Sequence, residues 1–169
     1  MIVNNTPGHR RKNIRLEDFD YKGSAYVYFI TICTHDKRHY FNNVDVAKII
    51  KDEIEFRMIN EIKLFCYCIM PDHLHMLLSL TENYTKKGQD KSVGEGTLWN
   101  WVSAYKRYTS RITNQLFQIK PLWHKNFYDH IVRKEESLLK IAEYIVNNPV
   151  RKGMVSEWEE YPYSRIIEL

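Results

Sequence analysis

Apolar residues in this chain switch between two periods, and the switching outlines the elements. The segment from Tyr26 to Thr34 is dense in β-branched and aromatic residues, which suit a pleated, half-buried surface, so it predicts a first strand. Val46, Ile49, Ile50 and Ile54 then recur at steps of three and four, predicting an amphipathic helix over 44–61. Leu64 to Cys68 and His73 to Leu80 predict two further strands, with Pro71-Asp72 marking a tight hairpin turn between them. Residues 81–97 are polar and carry Lys86, Lys87, Gly88, Gly94 and Gly96, which predicts a long mobile loop. Helical spacing returns from Leu98 to about Gln115, with Trp101, Val102, Tyr105, Tyr108 and Ile112 on one side. Phe127 to Val132 predicts a fourth strand. Glu135 to Asn147 predicts a last helix with Leu138, Leu139, Ile141, Ala142 and Ile145 as its apolar positions. Asn148-Pro149 should end it, because the residue before a proline is pushed out of the helical region.

Through the fourth strand the order is β-α-β-β-α-β, with one more helix behind it. That order is the ferredoxin-like arrangement of the α+β class. It implies an antiparallel sheet with helices on one face and the other face open to a ligand. At 169 residues the chain reads as a single domain, 1–169, with a basic N-terminal arm over 1–20 and the mobile loop over 81–97. Apolar content of 44% and aromatic content of 14% exclude a disordered chain. No apolar run reaches the length of a membrane span, and the N-terminus is polar without a secretory apolar region. Cys33, Cys66 and Cys68 lie in strand-like apolar runs, so they read as reduced, buried thiols of a cytoplasmic protein.

Charge changes the picture modestly. Lys and Arg number 25 against 21 acids, a small basic excess that suits a nucleic-acid partner without demanding one. Arg10, Arg11, Lys12 and Arg15 stand in a stretch of 15 residues with no acid, which is either a solvated tail or an arm that lies on phosphate. Lys106, Arg107 and Arg111 on the helix after the loop are either phosphate contacts or an ordinary solvated face.

The chemistry concentrates in Met70-Pro71-Asp72-His73-Leu74-His75. Residues i and i+2 of a strand share a face, so His73 and His75 would stand side by side on a solvent-facing site with Leu74 in the core. Two imidazoles at that spacing are either metal ligands or an incidental pair. Asp72 either orients the site or only makes the turn. On the last helix, Tyr144 and Asn148 are four apart and face the same way. Taken singly, they read as a packing tyrosine and a helix stop. Tyr105 and Tyr108 compete as functional tyrosines, but only Tyr144 has an Asn four residues on. His124 and His130 flank the fourth strand and could assist proton transfer; His9, His35 and His39 read as surface residues.

Together these pieces resemble the HUH single-tyrosine transposases, and within them the REP-associated tyrosine transposases. The matching segments run in order over most of the chain. They are Arg10 to Leu16, Tyr28 to Thr34, Met70 to His75, Leu122 to His130 and Tyr144 to Pro149. The resemblance implies that His73, His75 and Asn148 hold a divalent metal and that Tyr144 is the nucleophile. It implies cleavage and rejoining of single-stranded DNA near hairpin-forming repeats, through a 5′-phosphotyrosine with a free 3′-OH. Mg²⁺ prefers oxygen ligands and Mn²⁺ tolerates imidazole, so either ion is consistent with such a site. Relatives of this kind include both monomers and homodimers that trade active-site parts. Two other readings stay open: an HUH replication-initiator or relaxase-type nickase, and a non-catalytic ferredoxin-like nucleic-acid binder that stacks bases on Tyr26 and Tyr28.

Overall fold

The computed structural model describes residues 26–87, 96–133 and 137–169. The expected basic arm, with Arg10, Arg11, Lys12 and Arg15, lies outside the described residues, as do 88–95 and 134–136. The fold is α+β. Its centre is a five-stranded antiparallel sheet in the order β4-β1-β3-β2-β5. The strands are β1 (Val27–Cys33), β2 (Ile62–Met70), β3 (His73–Leu80), β4 (Tyr128–Val132) and β5 (Ser164–Ile166). The helices are α1 (Val44–Met58), α2 (Glu82–Lys87), α3 (Leu98–Phe117), α4 (Leu138–Val146) and α5 (Asn148–Arg151). Apart from α2, the strands and helices follow the sequence expectation closely through β4. The three-residue β5 is an addition, too short to show any period.

The first face of the sheet carries the main core. Tyr28, Ile30 and Ile32 of β1 and Leu74, Met76 and Leu78 of β3 pack there against Ile50 and Ile54 of α1 and Trp101 and Tyr105 of α3. Each fully buried Leu or Ile stabilises the fold by roughly 1.5–3 kcal/mol. α1 starts where the Asn43 side chain accepts from the backbone amides of Asp45 and Val46. On α3 the buried stripe departs from the expected one. Tyr108 is exposed, and Thr109 and Thr113 are buried in its place. Their hydroxyls donate to the carbonyls of Tyr105 and Thr109, which lets a polar residue enter the core. Thr109 also accepts from the Trp123 indole at 2.9 Å.

The second face is not left open as expected. α4 lays Ala142, Ile145 and Val146 over Cys66, Cys68, Met70 and Leu77. A register shift between Leu64 and Cys66 makes this possible. The bulge at Phe65 turns two successive residues, Phe65 and Cys66, toward the second face while Leu64 stays in the first core. All three cysteines are free and buried. Two other expectations change. Within 81–97, Glu82–Lys87 form α2, and Gly96 sits against the Tyr84 carbonyl, where a Cβ would collide with it. Asn148-Pro149 does not end the helical path either. The break falls one residue earlier, at Asn147 (ψ 7°), and α5 restarts with Pro149 in its first turn, where a missing N–H costs nothing.

Candidate active site

β3 begins at the hairpin turn, so its first residues stand at the end of the sheet. Register fixes which way they point. His75 lies opposite Thr31 of β1, and Leu74 opposite Ile32. Leu74 enters the first core, and His73 and His75 therefore face the second. Their ring centroids are 4.6 Å apart. Tyr144, on α4, brings its ring 6.5 Å from that of His75 and 6.1 Å from that of Phe29. The two strand histidines and the helix tyrosine thus converge on one face.

Each imidazole is held from behind. His73 Nδ1 lies 2.5 Å from Asp72 Oδ1, and His75 Nδ1 lies 2.8 Å from Thr31 Oγ1. Asp72 therefore contacts the His73 ring as well as making the turn. A carboxylate on Nδ1 fixes the proton there and leaves the Nε2 lone pair of His73 free. This outer support is characteristic of metal-binding histidines. The expected solvent-facing setting needs correction, because His75 is only 8% exposed. Burial is the main reason its proton affinity is pushed down to about 3, with the neighbouring His73, Arg151 and Lys37 acting the same way. Burial also lowers His73, though its hydrogen bond and attraction to Asp72 pull the other way. Burial would raise Asp72, but the hydrogen bond and charge of His73, with Lys37 and His39, hold it below the ordinary carboxylate value. Both rings are thus neutral near pH 7, the state that can donate to a cation.

Among the described residues, no three His, Cys, Asp or Glu side chains are grouped to hold a metal. A third protein donor to the histidine pair would then be an amide, a hydroxyl or a backbone carbonyl. Asn148 is 5% exposed. α5, which carries it, packs on β2. Two neutral imidazoles and a buried amide fit a divalent cation by donor type.

Arg151 was not singled out from the sequence. Its guanidinium lies 4.0 Å from the centroid of the Tyr144 ring and donates to the Tyr144 carbonyl at 2.7 Å. Lys37, 3.7 Å from Asp72, and Lys152, close enough to act on His73, complete a cationic rim. The signal for Arg151 was its place two helical turns after Tyr144. Thr31 could be found only from the strand register.

The other candidates lie elsewhere. Tyr105 is fully buried and donates its hydroxyl to the Ile50 carbonyl, so it is a core residue. Arg107, Arg111 and Tyr108 project from α3, in the layer behind the sheet, where the Arg111 guanidinium covers the Tyr108 ring. A groove of about 410 Å³ between α1 and α3, lined by Phe56, Arg57 and Tyr108, belongs to that layer and holds none of the histidine site. Lys106 is not turned outward. Its ammonium donates to the carbonyls of His124 and Lys125 and braces that turn. Tyr28 is buried in the core, so the expected base-stacking pair with Tyr26 does not exist. No helix among the described residues is long and apolar enough to cross a membrane.

No family model matches the chain. Among curated relatives, an uncharacterized protein of Haemophilus influenzae is 29% identical over 162 residues, covering 84% of this chain and 89% of its own. A second protein of that organism, provisionally named a REP-associated tyrosine transposase, is 28% identical over 57% of this chain and 54% of its own. The REP-associated tyrosine transposase of Escherichia coli is 20% identical over 81% of this chain and 74% of its own. A solved REP-associated tyrosine transposase, described as bound to a REP hairpin, shares the fold with a TM-score of 0.63 at 18% identity, over 89% of this chain and 82% of its own. The chain is thus similar in sequence to proteins named REP-associated tyrosine transposases and shares the fold of a solved one.

Proposed function

We propose that the chain is a metal-dependent single-stranded DNA transesterase of the transposase type, cutting and rejoining strands through a 5′-phosphotyrosine. The observation that carries this reading is the convergence of His73, His75 and Tyr144 on one sheet face inside a cationic rim. The names of the relatives support a transposase activity. The hairpin held by the structural neighbour makes a hairpin with a single-stranded foot the substrate to try first.

The Tyr144 oxygen attacks phosphorus. A new O–P bond forms as the bond from phosphorus to the 3′ oxygen breaks. Tyr144 is 51% exposed, so its phenolic proton can pass to solvent, and the departing 3′ oxygen takes up a proton. One phosphodiester replaces another, and attack by a 3′-OH on the phosphotyrosine rejoins the strand without ATP. His73 and His75 would hold a divalent ion through Nε2, with the Asn148 amide oxygen as third donor. When bound, the ion neutralises phosphate charge and polarises the P–O bonds. The two imidazole donors favour Mn²⁺ over Mg²⁺. Arg151 fixes the Tyr144 ring and main chain and adds positive charge where phosphate arrives.

The test is incubation with a labelled hairpin strand and Mn²⁺, Mg²⁺ or EDTA, followed by denaturing electrophoresis. A covalent protein–DNA band is expected with metal, none with EDTA, and none from Tyr144→Phe, which keeps the ring and should still bind DNA. A covalent band from Tyr144→Phe would show that another residue is the nucleophile. A band that persists in EDTA would remove the metal from the reading.

A further inference from the structure

We infer that the part of the second sheet face around Tyr128, which no described helix covers, is a base-stacking subsite for single-stranded DNA, with Tyr128 as its platform and His130 as a second aromatic surface. The inference rests on the nucleic-acid reading above and names where the bases go. Antiparallel register puts Tyr128 of β4 opposite Thr31, Thr31 opposite His75, and His75 opposite Cys68. These four side chains form one rank across the sheet, on the face that holds Tyr144. Exposure rises along it. Cys68 is buried beneath α4, His75 nearly so, Thr31 is half-buried, and Tyr128 is 55% exposed. The next rank repeats the trend, from buried Cys66 and Leu77 through half-buried Phe29 to exposed His130. α4 packs chiefly on β2, β3 and β5, and on β4 the second cluster takes in Val132 while Tyr128 and His130 stay exposed.

Tyr128 and His130 point away from the first core. Phe127 and Ile131, of opposite parity, serve the first core. What remains is a pair of rings two residues apart on an edge strand, about 7 Å along it. They continue directly into the rank that holds His75. The rim of Lys37, Arg151 and Lys152 beside that rank selects a polyanion rather than an apolar peptide. A polyanion that also presents flat π-faces is a single nucleic-acid strand, and stacking on aromatic side chains tolerates any base. Base pairing would hide those faces, so the subsite also favours unpaired DNA at the point of cleavage.

The experiment compares binding of an oligothymidylate strand with an abasic strand of equal length, which keeps every phosphate and removes every base. Fluorescence anisotropy is read for the full chain, Tyr128→Ala and Tyr128→Phe. Tyr128→Ala should bind oligothymidylate about 5- to 100-fold more weakly, the loss reported when one stacking ring is removed. Its affinity for the abasic strand should stay that of the wild type, and Tyr128→Phe should restore the base-dependent part. Equal loss on both strands would overturn the inference, since it would mark a phosphate contact or a structural defect. So would unchanged binding, or a concentration-dependent dimer paired along β4 that Tyr128→Ala abolishes without touching DNA affinity. Covalent band formation by the wild type separates the two levels. A wild type that makes the band while Tyr128→Ala binds both strands normally retains the transesterase reading and refutes the subsite. A wild type that makes no band while the base-dependent loss appears does the reverse.

Discussion

Lowering the pH in the absence of metal should destabilise this fold specifically through His75. The side chain is 8% exposed and its folded-state proton affinity sits at about 3, against an unfolded value near 6.5. The native state therefore resists a proton that the unfolded chain accepts. Between those two values the unfolded state binds more protons, so stability rises with pH and is lost as pH falls from about 6.5 toward 3. Each pH unit well inside the window costs about 1.4 kcal/mol. The loss from pH 7 to pH 5 is then about 2 kcal/mol, with a limit on the order of 5 kcal/mol near pH 3. Other groups titrate in the same range, notably His73 and Asp72, so the measurement is a difference. Wild type and His75→Asn, whose amide cannot titrate, are unfolded in urea at pH 7 and pH 5 with EDTA present. The variant loses ring packing and should be less stable at pH 7. Its fall between the two pH values should nonetheless be about 2 kcal/mol smaller than that of the wild type. Parallel falls in the two proteins would refute the claim that His75 is held neutral by burial.

Asp72→Asn should weaken Mn²⁺ binding about 10- to 100-fold by loosening His73, as titration calorimetry can show; unchanged affinity would make Asp72 a turn residue only. Arg151→Met should slow covalent band formation at least tenfold with a melting-temperature change of no more than a few degrees, because it removes the charge over Tyr144 from a solvent-accessible position; a wild-type rate would leave Arg151 without a role in positioning. Thr109→Val should cost about 1–3 kcal/mol in urea unfolding, since it strands the buried Trp123 indole N–H without an acceptor. Leu74→Ala should cost about 2–5 kcal/mol by opening a cavity between the sheet and its helices, and a smaller loss would mean that the core collapses around it.

Much of this was legible in the sequence because the two periods are strong. Alternation in residues 73–80 placed Leu74 inward and the histidines on the opposite face, and the structure agrees. The spacing of Tyr144 and Asn148 gave no sign of the break at Asn147, which puts Tyr144 on α4 and Asn148 on α5. What the sequence hid was pairing. Nothing in Thr31 or Tyr128 announces that they share a rank with His75, because register is a property of three strands far apart in the chain. The bulge at Phe65 was invisible for the same reason. An uninterrupted apolar run carries no mark of where one extra residue turns the pattern over. Lys106 misled because a basic residue beside a basic residue reads as surface, whereas its long stem lets the ammonium reach back to two carbonyls.

The way the second face is divided explains how one short chain can hold both a rigid site and an open one. α4 covers the β2 side with apolar residues, and that cover seats the helix carrying Tyr144 against Phe29 and His75. The same cover excludes water from His75 and keeps its ring unprotonated, which is the condition for donating to a cation at neutral pH. Had α4 extended over Tyr128 and His130, both would be core residues. Had it been absent, His75 would be solvated and free to take a proton. The edge of α4 therefore falls where both requirements are met. The acid sensitivity expected of His75 is the energetic trace of that boundary.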